Sequence, residues 1–120
     1  MPPDRLVWHV TGEGFTWDTQ DLARDMAVAE KAWDIARQYL ADPDYGLVVL
    51  DEFTYVLKYG WFNIDRVLET LAMRPPMQHV IITGRAAPDA LVEIADTVTD
   101  MTMVKHAFKA GVKAMPGLEW

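Results

Sequence analysis

The chain has 120 residues, of which 51% are hydrophobic, so it can bury the core of one compact domain and is too short for two. Its net charge of −7 argues against sequence-independent binding of nucleic acid, which depends on clustered lysine and arginine side chains. The absence of cysteine excludes disulfides, thiolate metal sites and cysteine nucleophiles, and makes the reducing cytoplasm the expected compartment.

The amino-terminal segment predicts a short strand and a loop. Residues 1–5 carry no apolar stretch behind a basic flank, and no segment has the length of a bilayer span, so we expect neither a signal peptide nor membrane insertion. Residues 6–10, Leu-Val-Trp-His-Val, favour a strand, closed by a glycine-containing loop. His9 in this strand and His79 in a later one are expected to be core histidines.

Apolar residues recur at spacings of three and four from residue 21 onward, which predicts an amphipathic helix. The apolar stripe consists of Leu22, Met26, Ala29, Trp33, Ala36 and Leu40. Asp18 or Thr19 can cap the start of this helix. The Asp-Pro-Asp run at residues 42–44 ends it, because a proline bars the residue before it from the helical region.

The next two elements are a buried strand and a second helix. Residues 47–50 form a continuous apolar run, which is typical of a parallel strand buried on both faces. Asn63 can cap a helix that ends before the two prolines at residues 75–76. The apolar face of that helix consists of Ile64, Val67, Leu68 and Leu71.

The remaining elements continue the alternation. Residues 79–83 predict a strand, Pro88 begins a third helix, and residues 97–101 predict a further strand. Strands that alternate with helices predict an α/β fold with a mostly parallel sheet flanked by helices, which we treat as one domain over residues 1–120. Ligands of such sheets bind beyond the carboxyl ends of the strands, so the polar residues that follow the strands are the candidate site.

Asp51 and Glu52 follow the apolar strand at residues 47–50. An apolar strand that ends in acids has the form of a Walker B segment, in which a carboxylate coordinates magnesium directly or through water. Magnesium prefers hard oxygen ligands beside phosphate, and either acid could be the ligand. The alternative is that two acids simply end a buried strand in water.

Arg85 follows another predicted strand, directly after Gly84. Its guanidinium is a permanently charged, fork-shaped donor suited to phosphate, and the glycine lets the backbone approach a ligand closely. The alternative is a surface arginine that pairs with a carboxylate.

Two large aromatic residues, Phe15 and Trp17, lie in a polar loop that follows Gly14. Exposed aromatic side chains commonly serve a flat ligand or a partner, since they bury much area with little loss of side-chain entropy. The alternative is that both rings fold back over the sheet. The carboxyl-terminal residues are locally basic, which could attract phosphates or could be a solvated tail; these residues are Lys105, His106, Lys109 and Lys113.

One motif is absent. A Walker A loop requires a glycine followed by lysine and then serine or threonine, and no glycine among these 120 residues precedes a lysine. This sequence therefore contains no phosphate cradle of that kind.

Four runs of the sequence together resemble the P-loop class of corrinoid adenosyltransferases, also called cob(I)yrinic acid a,c-diamide adenosyltransferases. The runs are residues 12–20, residues 50–52, residues 81–85, and residues 104–108 with 110–114. The resemblance spans nearly the whole chain. It implies a P-loop NTPase-like, RecA-like sheet whose amino-terminal P-loop unit is missing, since in this family that unit precedes the region where this chain begins.

The resemblance also implies a reaction and its residues. Reduced cobalt of a bound cobalamin or cob(I)yrinic acid a,c-diamide attacks the 5′-carbon of ATP and releases triphosphate. Phe15 and Trp17 match aromatics that crowd the lower face of the corrin and displace its axial base. Glu52 matches the acid associated with the nucleotide's magnesium, Asp51 is its Walker B neighbour, and Arg85 matches an arginine near the nucleotide.

The expected partners follow from the same resemblance: ATP with magnesium, a corrinoid, a flavodoxin-like reductant and a second copy in a homodimer. Neither nucleic acid nor a membrane is expected, because of the net charge and the absence of a segment long enough to span a bilayer. The alternative function is a truncated, non-catalytic module for corrinoid binding or dimerisation.

Overall fold

The computed structural model describes residues 6–9, 22–58, 60 and 63–105. Within these ranges the chain forms four helices and two strands. In chain order they are α1 (Leu22–Leu40), β1 (Leu47–Leu50), α2 (Thr54–Lys58), α3 (Ile64–Ala72), β2 (His79–Ile82) and α4 (Asp89–Ile94). None of the helices in the described ranges combines the length and apolar character that crossing a membrane requires.

The long helix predicted from the apolar stripe is confirmed as α1. Ala29, Trp33 and Leu40 are almost inaccessible to solvent, as expected for the buried face. Met26 departs from the prediction because its side chain is 38% exposed, whereas the neighbouring Asp25 is buried. The predicted capping residues 18 and 19 lie outside the described residues.

The two strands predicted at residues 47–50 and 79–83 are confirmed and pair in parallel, with Leu47 opposite His79 and Leu50 opposite Ile82. The second strand ends at Ile82, one residue earlier than predicted. Burial of β1 on both faces is a wrong prediction. Alternate residues pack against the core, whereas Leu47 and Val49 are each 53% exposed, because the described helices cover only one face of the sheet.

Two further strand predictions are wrong within the described residues. Residues 6–9 and 97–101 are irregular and exposed, and neither segment pairs with β1 or β2. A strand forms only when a neighbour satisfies its backbone groups, so strand-favouring side chains are not sufficient. His9 is exposed and its Nε2 lies 2.8 Å from the Tyr39 hydroxyl, and His79 is also exposed, so neither is a core histidine.

Local capping explains the shorter helices. The Asn63 side chain accepts a hydrogen bond from the Asp65 N–H and caps α3, as predicted. Pro88 is the residue before α4, whose Leu91 joins the core with Val67 and Leu71 of α3. The short helix α2 was not predicted. The core therefore lies between one face of the sheet and helices α1, α3 and α4, and leaves the carboxyl ends of the strands accessible.

Candidate functional site

The carboxyl ends of β1 and β2 meet at one edge of the sheet, because the strands are parallel and in register. The Thr83 N–H donates to the Leu50 carbonyl oxygen across 3.1 Å and extends the pairing by one residue. Directly beyond it, the Thr83 hydroxyl donates to Asp51 Oδ1 at 2.8 Å. The same hydroxyl oxygen accepts a hydrogen bond from the Glu52 N–H at 2.9 Å.

The turn after β1 has an uncommon backbone conformation. Glu52 has φ of 56°, in the left-handed region that residues with side chains seldom adopt. Asp51 and Glu52 are both exposed at this turn. Two carboxylates are thus accessible from solvent at the end of β1, and Thr83 holds the backbone that carries them.

The turn after β2 is held by a second threonine. Thr54, the first residue of α2, is 2% exposed, and its hydroxyl donates to the Arg85 carbonyl oxygen at 2.8 Å. Gly84 has φ of +145°, and a Cβ atom there would lie 1.8 Å from Thr54 Oγ1. Close packing against Thr54 therefore requires a glycine here, whether or not a ligand also approaches this backbone.

The structure brings three of the site residues from the sequence analysis to this edge: Asp51, Glu52 and Arg85. Arg85 is exposed and forms no ion pair with another described residue. Phe15 and Trp17 lie outside the described residues, as does the tail from residue 106 onward.

The oxygen ligands at this edge fit magnesium only if a bound molecule supplies further oxygen ligands. No group of three or more histidine, aspartate or glutamate side chains among the described residues could hold a metal ion. Asp51 and Glu52 nevertheless offer hard carboxylate oxygens, and magnesium is commonly bound by one or two carboxylates while phosphates and water complete its coordination. The site therefore suits a metal that arrives with a phosphate group.

Sequence reasoning missed how the two threonines act. The sequence pattern places Thr83 only at the end of the predicted strand at residues 79–83 and predicts no role for Thr54. Each hydroxyl reaches a partner more than 30 residues away along the chain, at separations of 32 and 31 positions. The sequence offers one indication of these contacts: a threonine lies within three residues of the acids after β1, and another within three residues of Arg85 after β2.

Comparison with known proteins adds the family. Residues 2–120 match the family model described as ATP:corrinoid adenosyltransferase BtuR/CobO/CobP. A corrinoid adenosyltransferase of Pseudomonas aeruginosa is 58% identical over 98% of this chain and 58% of its own length. Corrinoid adenosyltransferases of Sinorhizobium sp and Escherichia coli strain K12 are 45% and 42% identical, over 98% and 100% of this chain.

The chain spans 58%, 55% and 61% of the lengths of these three relatives. The match to the family model nevertheless covers all but the first residue of the chain, and the identities are well above the level at which relatedness is in doubt. The chain therefore belongs to the ATP:corrinoid adenosyltransferase BtuR/CobO/CobP family.

Proposed function

We propose that this protein transfers the 5′-deoxyadenosyl group of ATP to the reduced cobalt of a corrinoid, in the synthesis or salvage of adenosylcobalamin. The observation that carries the proposal is the family match over residues 2–120. In this reaction cobalt supplies the electron pair for a new bond to the 5′-carbon. The carbon–oxygen bond to the phosphate chain breaks, and triphosphate leaves with that bonding pair.

We propose a P-loop NTPase-like sheet as the frame for this reaction, in one domain over residues 1–120. The parallel pair β1–β2, with polar residues after both strands, supports this assignment. No glycine of the sequence precedes a lysine, so a Walker A loop is not among the groups we assign.

At the nucleotide, Asp51 and Glu52 would hold magnesium beside the phosphates, and Arg85 would donate to phosphate oxygens. Magnesium, when bound there, neutralises charge that develops on the leaving triphosphate. The Arg85 guanidinium offers several donors in a fixed plane, which suits a phosphate with more than one oxygen to satisfy. The support from the structure is that the three residues lie at one edge of the sheet and are exposed there.

At the corrinoid, we assign Phe15 and Trp17 to the lower face of the ring. Large aromatic side chains there would displace the axial base of the cobalt, and a cobalt without that ligand is easier to reduce to the nucleophilic state. The cofactor supplies the reactivity, and the protein's part is to position it and to exclude the competing ligand.

The remaining assignments rest on the resemblance alone. We propose that the protein acts in the cytoplasm as a homodimer and receives its electron from a flavodoxin-like protein. Sedimentation of the purified protein would test the dimer, and a monomer at the working concentration would contradict it.

The magnesium assignment is tested by Glu52→Gln in the full-length protein. Because an amide is a weaker ligand for magnesium than a carboxylate, we expect the rate of adenosylation at low magnesium to fall by about ten-fold or more and to recover partly at high magnesium. The measurement is the appearance of adenosylated corrinoid by absorbance, at several magnesium concentrations. The control is Glu93→Gln, an exposed acid of α4, which should change nothing. An unchanged magnesium dependence in Glu52→Gln would remove Glu52 from the site.

The corrinoid assignment is tested by Trp17→Ala. We expect ATP binding to stay nearly intact while the shift of the bound corrinoid from base-on to base-off weakens, because less of the lower face is occupied. The absorbance spectrum of the bound corrinoid reports that shift. Trp8→Ala is the control, since Trp8 is 78% exposed and has no assigned role. An unchanged spectrum would contradict the role of Trp17, and corrinoid binding with no ATP-dependent product would favour a non-catalytic binding module.

A further inference from the structure

The Thr83 hydroxyl forms hydrogen bonds with the Asp51 carboxylate and with the backbone of Glu52, at the end of β1. It donates its one hydrogen to Asp51 Oδ1 at 2.8 Å and accepts the Glu52 N–H at 2.9 Å. A threonine hydroxyl has one donor and two acceptor positions, so its donor and one acceptor are both used on these neighbouring residues. The backbone N–H of Thr83, bonded to the Leu50 carbonyl oxygen at 3.1 Å, fixes the hydroxyl relative to β1.

The bond to Asp51 restricts how that carboxylate can turn. With Oδ1 held by Thr83, the second oxygen and the unused lone pair of the first remain available for a ligand. A hydrogen bond to one lone pair of a ligating carboxylate orients it and leaves the other lone pairs free to coordinate, which is the role of outer partners in many metal sites.

The bond to Glu52 acts on the backbone. The φ of 56° at this residue costs free energy in any amino acid with a Cβ atom, and such a conformation persists only where its surroundings hold it. The Glu52 N–H donates to the Thr83 hydroxyl, which is therefore one of the contacts that hold this turn. Loss of the hydroxyl would allow Glu52 to return to a more ordinary backbone conformation and to move its carboxylate.

We propose that Thr83 is a positioning residue that sets the geometry of Asp51 and Glu52 for a divalent cation. This inference rests on the proposed function, because it takes the two acids as the magnesium ligands. Thr83 itself does not coordinate the cation. It acts through one oxygen of Asp51 and the backbone of Glu52.

The test is the affinity of the full-length protein for Mn²⁺, measured by the electron paramagnetic resonance signal of free Mn²⁺, with and without ATP. Thr83→Val removes the hydroxyl and keeps the side-chain shape, and we expect it to weaken Mn²⁺ binding about 10–100-fold. Thr83→Ser keeps the hydroxyl and should stay within about three-fold of the unchanged protein, since both hydrogen bonds can still form. In steady-state assays the Mn²⁺ concentration for half-maximal rate should rise in Thr83→Val while the KM for the corrinoid stays the same.

Thr54→Val is the matched control. Thr54 is a threonine close to the end of β1, and its substitution by valine also removes one hydrogen bond. That bond goes to the Arg85 carbonyl oxygen and to neither acid. The Mn²⁺ affinity of Thr54→Val should therefore be unchanged. A similar weakening in Thr54→Val and Thr83→Val would overturn the inference, because general loosening of the turns would explain both.

The remaining outcomes separate this inference from the proposed function. Equal Mn²⁺ affinity in Thr83→Val and the unchanged protein overturns the inference and leaves the magnesium site standing. If the unchanged protein with ATP binds no more Mn²⁺ than ATP alone does, the magnesium assignment is overturned and the inference with it. If Thr83→Val fails to fold, Thr83→Ala takes its place, with circular dichroism as the check on folding.

Discussion

Gly84 lies where any other residue would collide with Thr54. A Cβ atom at this position would lie 1.8 Å from the Thr54 hydroxyl oxygen and 2.9 Å from Thr54 Cβ. Thr54 is buried and its hydroxyl is bonded to the Arg85 carbonyl oxygen, so it cannot move aside without losing that bond. The φ of +145° adds backbone strain for a residue with a side chain. Both effects act on the turn that carries Arg85.

Gly84→Ala should therefore lower the free energy of unfolding by about 2 kcal/mol or more, from steric overlap and an unfavourable φ. Urea unfolding followed by circular dichroism measures the change. Gly46→Ala is the matched control, because no atom beyond the glycine and its two chain neighbours lies within 4 Å of the added Cβ, and its φ lies outside the unfavourable range. The control should be neutral or slightly stabilising, by about 0.5 kcal/mol. Equal stability of Gly84→Ala and the unchanged protein would contradict the close packing against Thr54.

At the scale of secondary-structure elements, side chains join segments that are distant in the sequence. Gln78 is 3% exposed, and its Nε2 donates toward the carbonyl oxygens of Tyr39, Asp42 and Tyr45 at 2.9–3.2 Å. It therefore fixes the start of β2 against the end of α1 and the turn that follows. A second link joins two helices: Arg66 of α3 forms a two-pronged ion pair with Glu30 of α1, at 2.7 and 3.1 Å.

The Glu30–Arg66 pair should contribute little to stability, because both side chains are more than 40% exposed. The hydrogen bond with Glu30 raises the pKa of the Arg66 guanidinium above its ordinary value. A group whose pKa is raised by folding stabilises the folded state fully at any pH below its pKa in the unfolded chain. The contribution of Arg66 to the free energy of unfolding is therefore constant at neutral pH and is lost only at extreme alkaline pH. Salt is therefore the useful variable, since it screens exposed charges.

A double-mutant cycle with Glu30→Gln and Arg66→Gln should give a coupling free energy of about 0.5 kcal/mol at low salt and close to zero in about 1 M NaCl. Thermal or urea unfolding of the four proteins supplies the cycle. The comparison pair is Asp34–Arg37, which is similarly exposed and lies within α1. A coupling above about 2 kcal/mol that persists in high salt would show that the Glu30–Arg66 pair holds α3 to α1 far more strongly than its exposure indicates.

At the scale of the whole molecule, the core connects the centre of α1 to the candidate site. Trp33 is 1% exposed, and its ring stacks on Phe53 with a centroid separation of 5.7 Å. Phe53 directly follows Asp51 and Glu52, so the packing of Trp33 supports the turn that carries the two acids. On the other face of the sheet, Leu47, Val49 and Ile81 are each at least half exposed, so the described residues bury no comparable core there.

Trp33→Ala should lower the free energy of unfolding by about 3–5 kcal/mol, since it removes a large buried ring and leaves a cavity beneath Phe53. The measurement is urea unfolding, with the m-value compared to confirm that the transition stays cooperative. Met73→Ala is the control, because Met73 is 82% exposed, and its effect should lie within about 0.5 kcal/mol. A loss below about 1 kcal/mol for Trp33→Ala would contradict the central position of this side chain.

Features with local causes could be predicted from the order of the amino acids. The spacing of apolar residues established α1 and the buried face of α3, and Asn63 marked where α3 begins, because helix periodicity and capping involve residues three or four positions apart. The apolar runs established β1 and β2, and the polar residues directly after them identified Asp51, Glu52 and Arg85 as candidates. The assignments of Phe15 and Trp17 stay predictions, because these residues lie outside the described ranges.

Features that depend on a partner distant along the chain could not be predicted in this way and required the folded arrangement. Residues 6–9 and 97–101 have side chains that favour strands, but they pair with neither strand, and a strand depends on its neighbour for its hydrogen bonds. Exposure of one face of β1 depends on which helices pack nearby, which an apolar run cannot indicate. The threonine hydrogen bonds at the site span 31 and 32 positions, so only the parallel pairing of β1 with β2 brings their donors and acceptors together.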